Sequence, residues 1–202
     1  MKEFDLRLYV IVSDIDIVKQ AIQGGAAMIQ LREKNAPLDE VITLGRVLHA
    51  ITMQYGIPLI INDYVDAALA IGAEGAHVGQ KDMPAREARQ ILGEEKILGV
   101  SVSNVKEAIK AQADGADYLG VGPIFETHSK KDAGEPIGLE RLREIVQAVS
   151  IPVVAIGGIS TLNAASVINA GASGIAVISA VAGAENPREA ARELKKLLIS
   201  NY

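Results

Sequence analysis

Charged side chains occur along the chain at the ends of short apolar runs. Asp63 and Asp82 each follow such a run. Mg2+ is typically held by one or two carboxylates, while substrate phosphates complete its coordination shell. Arg32, Lys34 and Lys130 add three cations to a chain whose net charge is −5. Together these residues predict a Mg2+-assisted site for a diphosphate, in which the three cations act catalytically by stabilising the charge on a departing pyrophosphate.

A second group of residues offers hydroxyls, glycines and backbone amides rather than charge. Backbone amides at a helix start, helped by hydroxyl donors, bind phosphate groups well. The group therefore predicts a second, phosphate-binding position in the same site. Its members are Thr127, Ser129, Gly157, Gly158, Ile178 and Ser179.

Each of these features also has a purely structural interpretation. Arg32 and Lys34 alternate along an extended segment and could form a solvated pair. Asn62-Asp63 and Asp82 could cap helices, since their side chains accept hydrogen bonds from orphan amides. The glycine pair could be a tight turn, and residues 127–130 an ordinary polar loop. The histidines receive no catalytic role: His49 and His77 are assigned to a helix and a strand, and His128 to a loop as a spacer.

The elements that must position these residues alternate regularly between strand and helix. Helical patterns separate eight strand candidates, and several helices end in glycine, which tolerates the left-handed backbone common at a helix end. The polar residues fall at the carboxyl ends of the candidate strands, where (β/α)8 barrels place their chemistry. The candidate strands are Leu6–Val12, Ala27–Arg32, Pro58–Asn62, Gly75–Val78, Ile97–Ser101, Tyr118–Gly122, Val153–Gly157 and Gly174–Ser179.

This alternation predicts an α/β fold, a (β/α)8 TIM barrel, formed by residues 1–202 as one catalytic domain, since no linker or composition shift divides the chain. Hydrophobic residues make up 49% of the chain and aromatic residues only 3%, which suits an aliphatic core around parallel strands. An open doubly wound sheet is the alternative. It usually carries a glycine-rich phosphate loop after its first strand, whereas here Leu6–Val12 is followed by Ser13-Asp14-Ile15-Asp16.

Composition also argues against several classes of protein. The acidic net charge is unlike a general nucleic-acid-binding surface. No apolar run approaches the ~20 residues that span a membrane, and the first residues do not resemble a signal peptide. With no cysteine, thiolate chemistry and disulfides are excluded. We expect a cytoplasmic protein acting on small molecules; the sequence leaves its oligomeric state open, a homo-oligomer included.

Seven short motifs connect the chain to a known family. In this order they resemble the motifs of thiamine phosphate synthases, and the resemblance extends along essentially the whole chain. The motifs are Gln30-Leu31-Arg32-Glu33-Lys34, Ile61-Asn62-Asp63, His77-Val78-Gly79-Gln80-Lys81-Asp82, Gly99-Val100-Ser101, Gly120–Phe125 with Thr127-His128-Ser129-Lys130, Ala155–Ile159, and Ala176–Ala180.

The resemblance implies a reaction and a role for each site residue. The family couples 4-amino-2-methyl-5-hydroxymethylpyrimidine diphosphate to a thiazole phosphate, by a dissociative mechanism in which pyrophosphate leaves first. By resemblance, the pyrimidine diphosphate site comprises Gln30, Leu31, Arg32, Glu33, Lys34, Asn62, Ser101 and Lys130. The thiazole phosphate site comprises Thr127, His128, Ser129, Gly158, Ile178 and Ser179. Asp63 and Asp82 would ligate Mg2+.

Two other functions compete with this interpretation. The related thiazole tautomerases share the barrel and resemble the chain at Ile124–Thr127. However, they carry a catalytic histidine where Pro123 stands here, and proline cannot shuttle a proton. A non-catalytic barrel that binds thiamine phosphates as a regulator is the other alternative. The presence of both Asp63 and Asp82 disfavours it, because binding a product phosphate needs no metal pair.

Overall fold

The computed structural model describes residues 4–34, 36–129 and 134–199. Within them, short aliphatic runs form eight parallel strands whose side chains are almost entirely buried. Each lies within one of the predicted strands or extends it by a single residue, so the predicted elements are confirmed. The strands are β1 (Leu8–Ile11), β2 (Met28–Leu31), β3 (Leu59–Asn62), β4 (Gly75–Val78), β5 (Ile97–Val102), β6 (Tyr118–Val121), β7 (Val153–Ile156) and β8 (Gly174–Val177).

Each strand pairs with the next in the chain, and β8 closes the barrel onto β1. The closing register places Leu8 beside Ile175 and Val10 beside Val177. This closed sheet confirms the (β/α)8 barrel and excludes the open doubly wound alternative. Helices surround it: α1 (Ile15–Gln23), α2 (Leu38–Gln54), α3 (Val65–Ile71), α4 (Ala85–Leu92), α5 (Val105–Ala113), α6 (Gly138–Ala148), α7 (Ala164–Asn169), α8 (Ser179–Ala182) and α9 (Pro187–Ile199).

Glycines end several of the helices, as the sequence predicts. Gly115 follows α5 with a φ of 96° and Gly171 follows α7 with a φ of 100°. A side chain at these left-handed positions would be strained, so glycine lets each helix turn directly into the next strand.

The buried residues divide into two layers, because successive side chains of a strand point to opposite faces. Leu8 and Val10 of β1 belong to the large aliphatic layer between the strands and the helices. Tyr9 and Ile11 point into the barrel, where they pack with Tyr118 and other inward residues. Among the described residues, no helix combines the length and apolar character needed to cross a membrane.

Candidate active site

A cavity of about 850 Å³ opens at the carboxyl ends of the strands, where barrels of this kind place their chemistry. Most of the residues predicted from the sequence line it, although they come from all parts of the chain. The lining includes Arg32, Lys34, Asn62, Asp63, Asp82, Ser101, Thr127, His128, Ser129, Gly158, Ile178 and Ser179.

Three of the predicted residues do not line this cavity. Gln30 is only 1% exposed and lies inside the barrel, where its amide donates a hydrogen bond to the Tyr9 hydroxyl over 2.7 Å. Leu31, the next residue of β2, points the other way and packs between the strands and the helices. Glu33 is half-buried outside the lining. Lys130 lies outside the described residues.

Two carboxylates stand together on one side of the cavity, after β3 and in the loop after β4. Burial is the main cause that raises the pKa of Asp63 from 3.8 to about 6. A hydrogen bond and the negative charge of Asp82 raise it further, while the charges of Lys34 and Arg32 partly oppose the shift. The Lys34 Nζ is 3.8 Å from the Asp63 carboxylate. This side of the cavity therefore offers two neighbouring carboxylates flanked by two cations.

The backbone holds both carboxylates in place. The Asp63 amide donates to the His77 carbonyl over 2.8 Å, and Asp63 has a φ of 63°, a left-handed conformation that aspartate tolerates better than most residues. The Asp82 Oδ2 accepts a hydrogen bond from the Gly79 amide over 2.8 Å. Neither residue caps a helix, because α3 is preceded by Tyr64 and α4 by Pro84, each without a side-chain cap. The two carboxylates thus face the cavity and not a helix end.

The donor set suits a hard divalent cation. Two close carboxylates repel each other, and a cation between them would relieve that repulsion; Mg2+ uses few protein carboxylates and takes its other ligands from water or substrate phosphates. Within the described residues, no group of three or more His, Cys, Asp or Glu side chains is arranged to hold a metal. Asp63 and Asp82 could therefore hold Mg2+ only together with oxygen atoms from a substrate or from water.

The opposite side of the cavity carries hydroxyls and backbone. The Ser129 hydroxyl is hydrogen-bonded to the Ser179 hydroxyl over 2.8 Å, which connects the β6 loop to the start of α8. The Ser129 amide donates to the Thr127 hydroxyl over 3.3 Å. The Gly158 carbonyl accepts a hydrogen bond from Asn163 over 2.9 Å, which fixes the loop after β7. A short additional helix after β8 is the usual phosphate position of such barrels.

Sequence reasoning missed several residues of the cavity. His77 is 7% exposed, and its Nε2 lies 2.8 Å from the Ser101 hydroxyl. The Gln80 amide donates to the Ser101 carbonyl over 2.7 Å. Because side chains alternate along β4, the strand pattern alone could have predicted that His77 points into the barrel. The other missed lining residues with polar side chains are Lys81, Ser103, Glu107, Glu126 and Ser160.

Comparison with known proteins identifies the family. The sequence profile described as thiamine monophosphate synthase matches residues 8–181, which is most of the chain. The chain belongs to the thiamine monophosphate synthase family.

Individual family members agree with this assignment. The thiamine-phosphate synthase of Moorella thermoacetica is 55% identical over 184 residues, covering 91% of this chain and 88% of that protein. The protein of the same name from Chloroflexus aurantiacus is 52% identical over 202 residues, covering 96% and 93% of the two chains. The solved thiamine phosphate pyrophosphorylase from Pyrococcus furiosus has a TM-score of 0.91 at 46% identity and covers 97% of this chain and 96% of its own.

One loop residue distinguishes this family member from a proton-shuttling barrel. Pro123 lines the cavity and follows a cis peptide bond with Gly122. Its ring has no titratable group. At the position where the resemblance places the histidine of a thiazole tautomerase, this chain therefore has no side chain that can transfer a proton.

Proposed function

We propose that this barrel is a thiamine phosphate synthase that joins 4-amino-2-methyl-5-hydroxymethylpyrimidine diphosphate to a thiazole phosphate and releases pyrophosphate. The observation that carries the proposal is that the two sides of the cavity are lined by different kinds of groups. The carboxylate pair Asp63 and Asp82 lies with Arg32 and Lys34 on one side, and hydroxyl and backbone donors lie on the other. Membership in the thiamine monophosphate synthase family supports the same reaction.

The diphosphate belongs on the charged side. Arg32 and Lys34, with Lys130 as predicted from the sequence, would bind its oxygens and stabilise the negative charge that accumulates as pyrophosphate departs. Asp63 and Asp82 would hold Mg2+, the cofactor that we propose. When bound, the ion would neutralise the diphosphate and make it a better leaving group. The raised pKa of Asp63 supports this arrangement, because burial and the neighbouring Asp82 carboxylate cause it, and a bound cation would favour the charged form of both carboxylates.

The thiazole phosphate belongs on the opposite side. Thr127, Ser129 and Ser179 would donate hydroxyl hydrogens to its phosphate, and the backbone at Gly158 and Ile178 would complete the site. This anchor would orient the thiazole nitrogen toward the pyrimidine methylene carbon. Fixing the two partners in a productive orientation is itself a large contribution to rate.

The chemistry that we propose is dissociative. The bond between the methylene carbon and the diphosphate oxygen breaks first, and the aminopyrimidine ring stabilises the resulting cation by electron donation. The thiazole nitrogen then forms the new C–N bond. Little acid–base catalysis is needed, which agrees with Pro123 and with the exposed position of His128. We also propose that the protein acts in the cytoplasm on these small molecules.

The decisive experiment incubates the purified protein with both substrates and Mg2+. We expect thiamine phosphate and pyrophosphate to appear in equal amounts, as measured by chromatography and a coupled phosphate assay. A protein that only isomerises the thiazole phosphate would be a tautomerase. A protein that binds thiamine phosphate without turnover would be a regulator. Either result would overturn the proposal.

A further inference from the structure

A continuous chain of hydrogen bonds crosses the barrel interior beneath the cavity floor. The Gln30 amide nitrogen donates to the Tyr9 hydroxyl over 2.7 Å, and the Tyr9 and Tyr118 hydroxyls are 2.9 Å apart. The Tyr118 hydroxyl lies 3.0 Å from His77 Nδ1, and His77 Nε2 lies 2.8 Å from Ser101 Oγ. The chain therefore ends at Ser101, a residue that lines the cavity.

The first donor fixes the direction of one bond in this chain. An amide NH2 group can only donate, so Tyr9 accepts from Gln30. The two tyrosine hydroxyls can each donate or accept, and the His77 ring contacts Tyr118 through one nitrogen and Ser101 through the other in either tautomer. In both tautomers the imidazole holds the Ser101 hydroxyl at the cavity floor.

The surrounding strands leave room for this arrangement at a cost to their own stability. A methyl group at Gly99 of β5 would overlap the Tyr118 ring and His77 Nδ1, and one at Gly120 of β6 would lie 3.0 Å from His77 Cε1. Glycine weakens a strand interior and often marks a close approach of another group. Two glycines on neighbouring strands thus make the space in which the imidazole lies between Tyr118 and Ser101.

The pair formed by His77 and Ser101 differs from the pair that activates a nucleophile in hydrolases. In those enzymes a carboxylate contacts the second imidazole nitrogen and stabilises the imidazolium. Here the second partner is the Tyr118 hydroxyl, and burial raises the pKa of that hydroxyl well above its ordinary value, so that it stays neutral. A neutral partner on Nδ1 does not help the ring to accept a proton. The pair is therefore suited to orienting the serine hydroxyl.

We infer that His77 is a positioning residue that holds the Ser101 hydroxyl toward the aminopyrimidine ring. This inference rests on the proposed function. The ring and not the diphosphate meets Ser101, because the small or apolar residues Gly120, Ile156 and Ala176 line the narrow space at the cavity floor together with Ser101. Among the described residues, the charged groups proposed for the diphosphate lie after β2, β3 and β4.

Two isosteric substitutions separate the contacts of His77. In His77→Asn the amide replaces Nδ1, which keeps a partner for Tyr118 and removes the contact with Ser101. In His77→Gln the amide replaces Nε2 and keeps that contact. We expect His77→Asn to raise the KM for the pyrimidine diphosphate about tenfold, the effect of losing one hydrogen bond. His77→Gln should restore that KM to within about threefold of the wild-type value.

A double-mutant cycle then tests whether His77 acts through Ser101. In a Ser101→Ala background, His77→Asn should add less than about twofold to the KM for the pyrimidine diphosphate, because the two substitutions remove the same interaction. The KM for the thiazole phosphate should stay unchanged in all of these variants. Independent, multiplicative effects in the cycle, or equal increases in both KM values, would overturn the inference.

Controls separate this role from a structural one. His49→Asn removes an imidazole whose Nε2 contacts Glu74 over 3.1 Å at the opposite end of the barrel, and it should change stability without changing either KM. If His77→Asn does not fold, Tyr118→Phe interrupts the same chain one bond earlier, keeps the aromatic packing, and should raise the same KM.

The proposed function and the inference can fail separately. A wild-type protein that forms no thiamine phosphate would overturn the proposed function. Calorimetric titration with the pyrimidine diphosphate would then decide the inference, because His77→Asn should weaken binding of that compound about tenfold. Undiminished binding in this variant would overturn it.

Discussion

The acidic side chains at the two ends of the barrel have different charged neighbours. At the end that carries the amino termini of the strands, Arg7 contacts both carboxylate oxygens of Asp5 at 2.7–3.0 Å, and Lys195 lies 3.2 Å from the same group. Arg89 contacts Asp117 over 2.6 Å at this end. At the other end, Asp63 has a second carboxylate, Asp82, beside it, and the Lys34 Nζ lies 3.8 Å from the Asp63 carboxylate.

The pKa values of two aspartates express this difference. Burial alone would raise the pKa of Asp5, but the hydrogen bonds and charges of Arg7 and Lys195 outweigh it and lower the value to about 2. Burial and Asp82 raise the pKa of Asp63 to about 6. At the end with the amino termini of the strands (the lower end), Asp5 and Asp117 are paired with cations of the chain. At the end with the cavity (the upper end), the carboxylates Asp63 and Asp82 lie side by side, an arrangement that favours a bound cation. We therefore expect Asp5 to contribute to stability and the pair Asp63 and Asp82 to contribute to function.

The largest effect is expected from removing the carboxylate pair or its metal. Asp82→Asn keeps an oxygen that can accept from the Gly79 amide and removes the charge. We expect it to reduce turnover at limiting Mg2+ by about 10²–10³-fold, the loss typical of removing one electrostatic contact to a developing charge, and EDTA to abolish turnover. Steady-state kinetics with titrated Mg2+ measures both. Asp5→Asn is the matched control, with normal turnover and a lower melting temperature. Normal turnover in Asp82→Asn at limiting Mg2+ would contradict the metal assignment.

Removing a cation at the upper end should have the second-largest effect on the kinetics. Arg32→Ala removes a charge-assisted contact to the diphosphate, and we expect kcat/KM for the pyrimidine diphosphate to fall about 10–10²-fold. Lys130→Ala should act in the same direction. Ser179→Ala should matter less, because the backbone amide at that position can still bind the thiazole phosphate. Kinetics with each substrate varied in turn measures these effects. Equal, large losses of thiazole phosphate affinity in Lys130→Ala and Ser179→Ala would contradict two separate anion sites.

The contributions of Asp63 and Asp5 to the free energy of unfolding should change with pH in opposite directions. The pKa of Asp63 is raised in the folded state, so its favourable contribution is complete below about pH 4 and is lost as the pH rises through about 6. The pKa of Asp5 is lowered, so its contribution is present above about pH 4 and is lost as the pH falls through about 2. In metal-free protein at pH 7, we therefore expect Asp63→Asn to raise the melting temperature by about 2–4 °C and Asp5→Asn to lower it.

Calorimetry between pH 3 and pH 8 would check these signs. Asparagine is the right replacement at position 63, because its side chain also tolerates the left-handed backbone conformation that alanine would find strained. The gain from Asp63→Asn should disappear below about pH 4, where the wild-type carboxyl is protonated. A loss of stability in this variant at pH 7 would show that the pair is already neutralised within the chain.

Much of this molecule could be predicted from the order of its residues. The barrel follows from local patterns, because an aliphatic run such as Val153–Ile156 and a glycine such as Gly171 indicate their element without reference to distant residues. The position of Asp63 and Asp82 follows from the same patterns, since the carboxyl ends of parallel strands meet at one end of a closed sheet.

The interior hydrogen bonds could not be predicted in this way. His77 contacts Ser101 and Tyr118, which lie 24 and 41 residues away, and no local signal connects them. The alternation along β2 indicates that Gln30 points inward, but its contact with Tyr9 depends on the register that pairs Ile11 with Gln30. Such contacts depend on strand tilt and stagger in the closed barrel, and these are properties of the whole fold.

The smallest effect is expected at His128, the one histidine in the loops implicated by sequence. Its side chain is 93% exposed, and its Nε2 lies 3.9 Å from the Glu126 carboxylate. A dissociative synthase needs the electron donation of the pyrimidine and a stabilised pyrophosphate, but no histidine that shuttles a proton. We therefore expect His128→Ala to reduce formation of thiamine phosphate by less than about tenfold, or about 1.4 kcal/mol in the barrier, whereas a general acid–base residue contributes about 10²–10⁴-fold. Turnover and melting temperature measured on the same preparation decide the matter. A thousandfold loss in a folded variant would show that proton transfer is central at the upper end, and Pro123 would then no longer argue against a tautomerase.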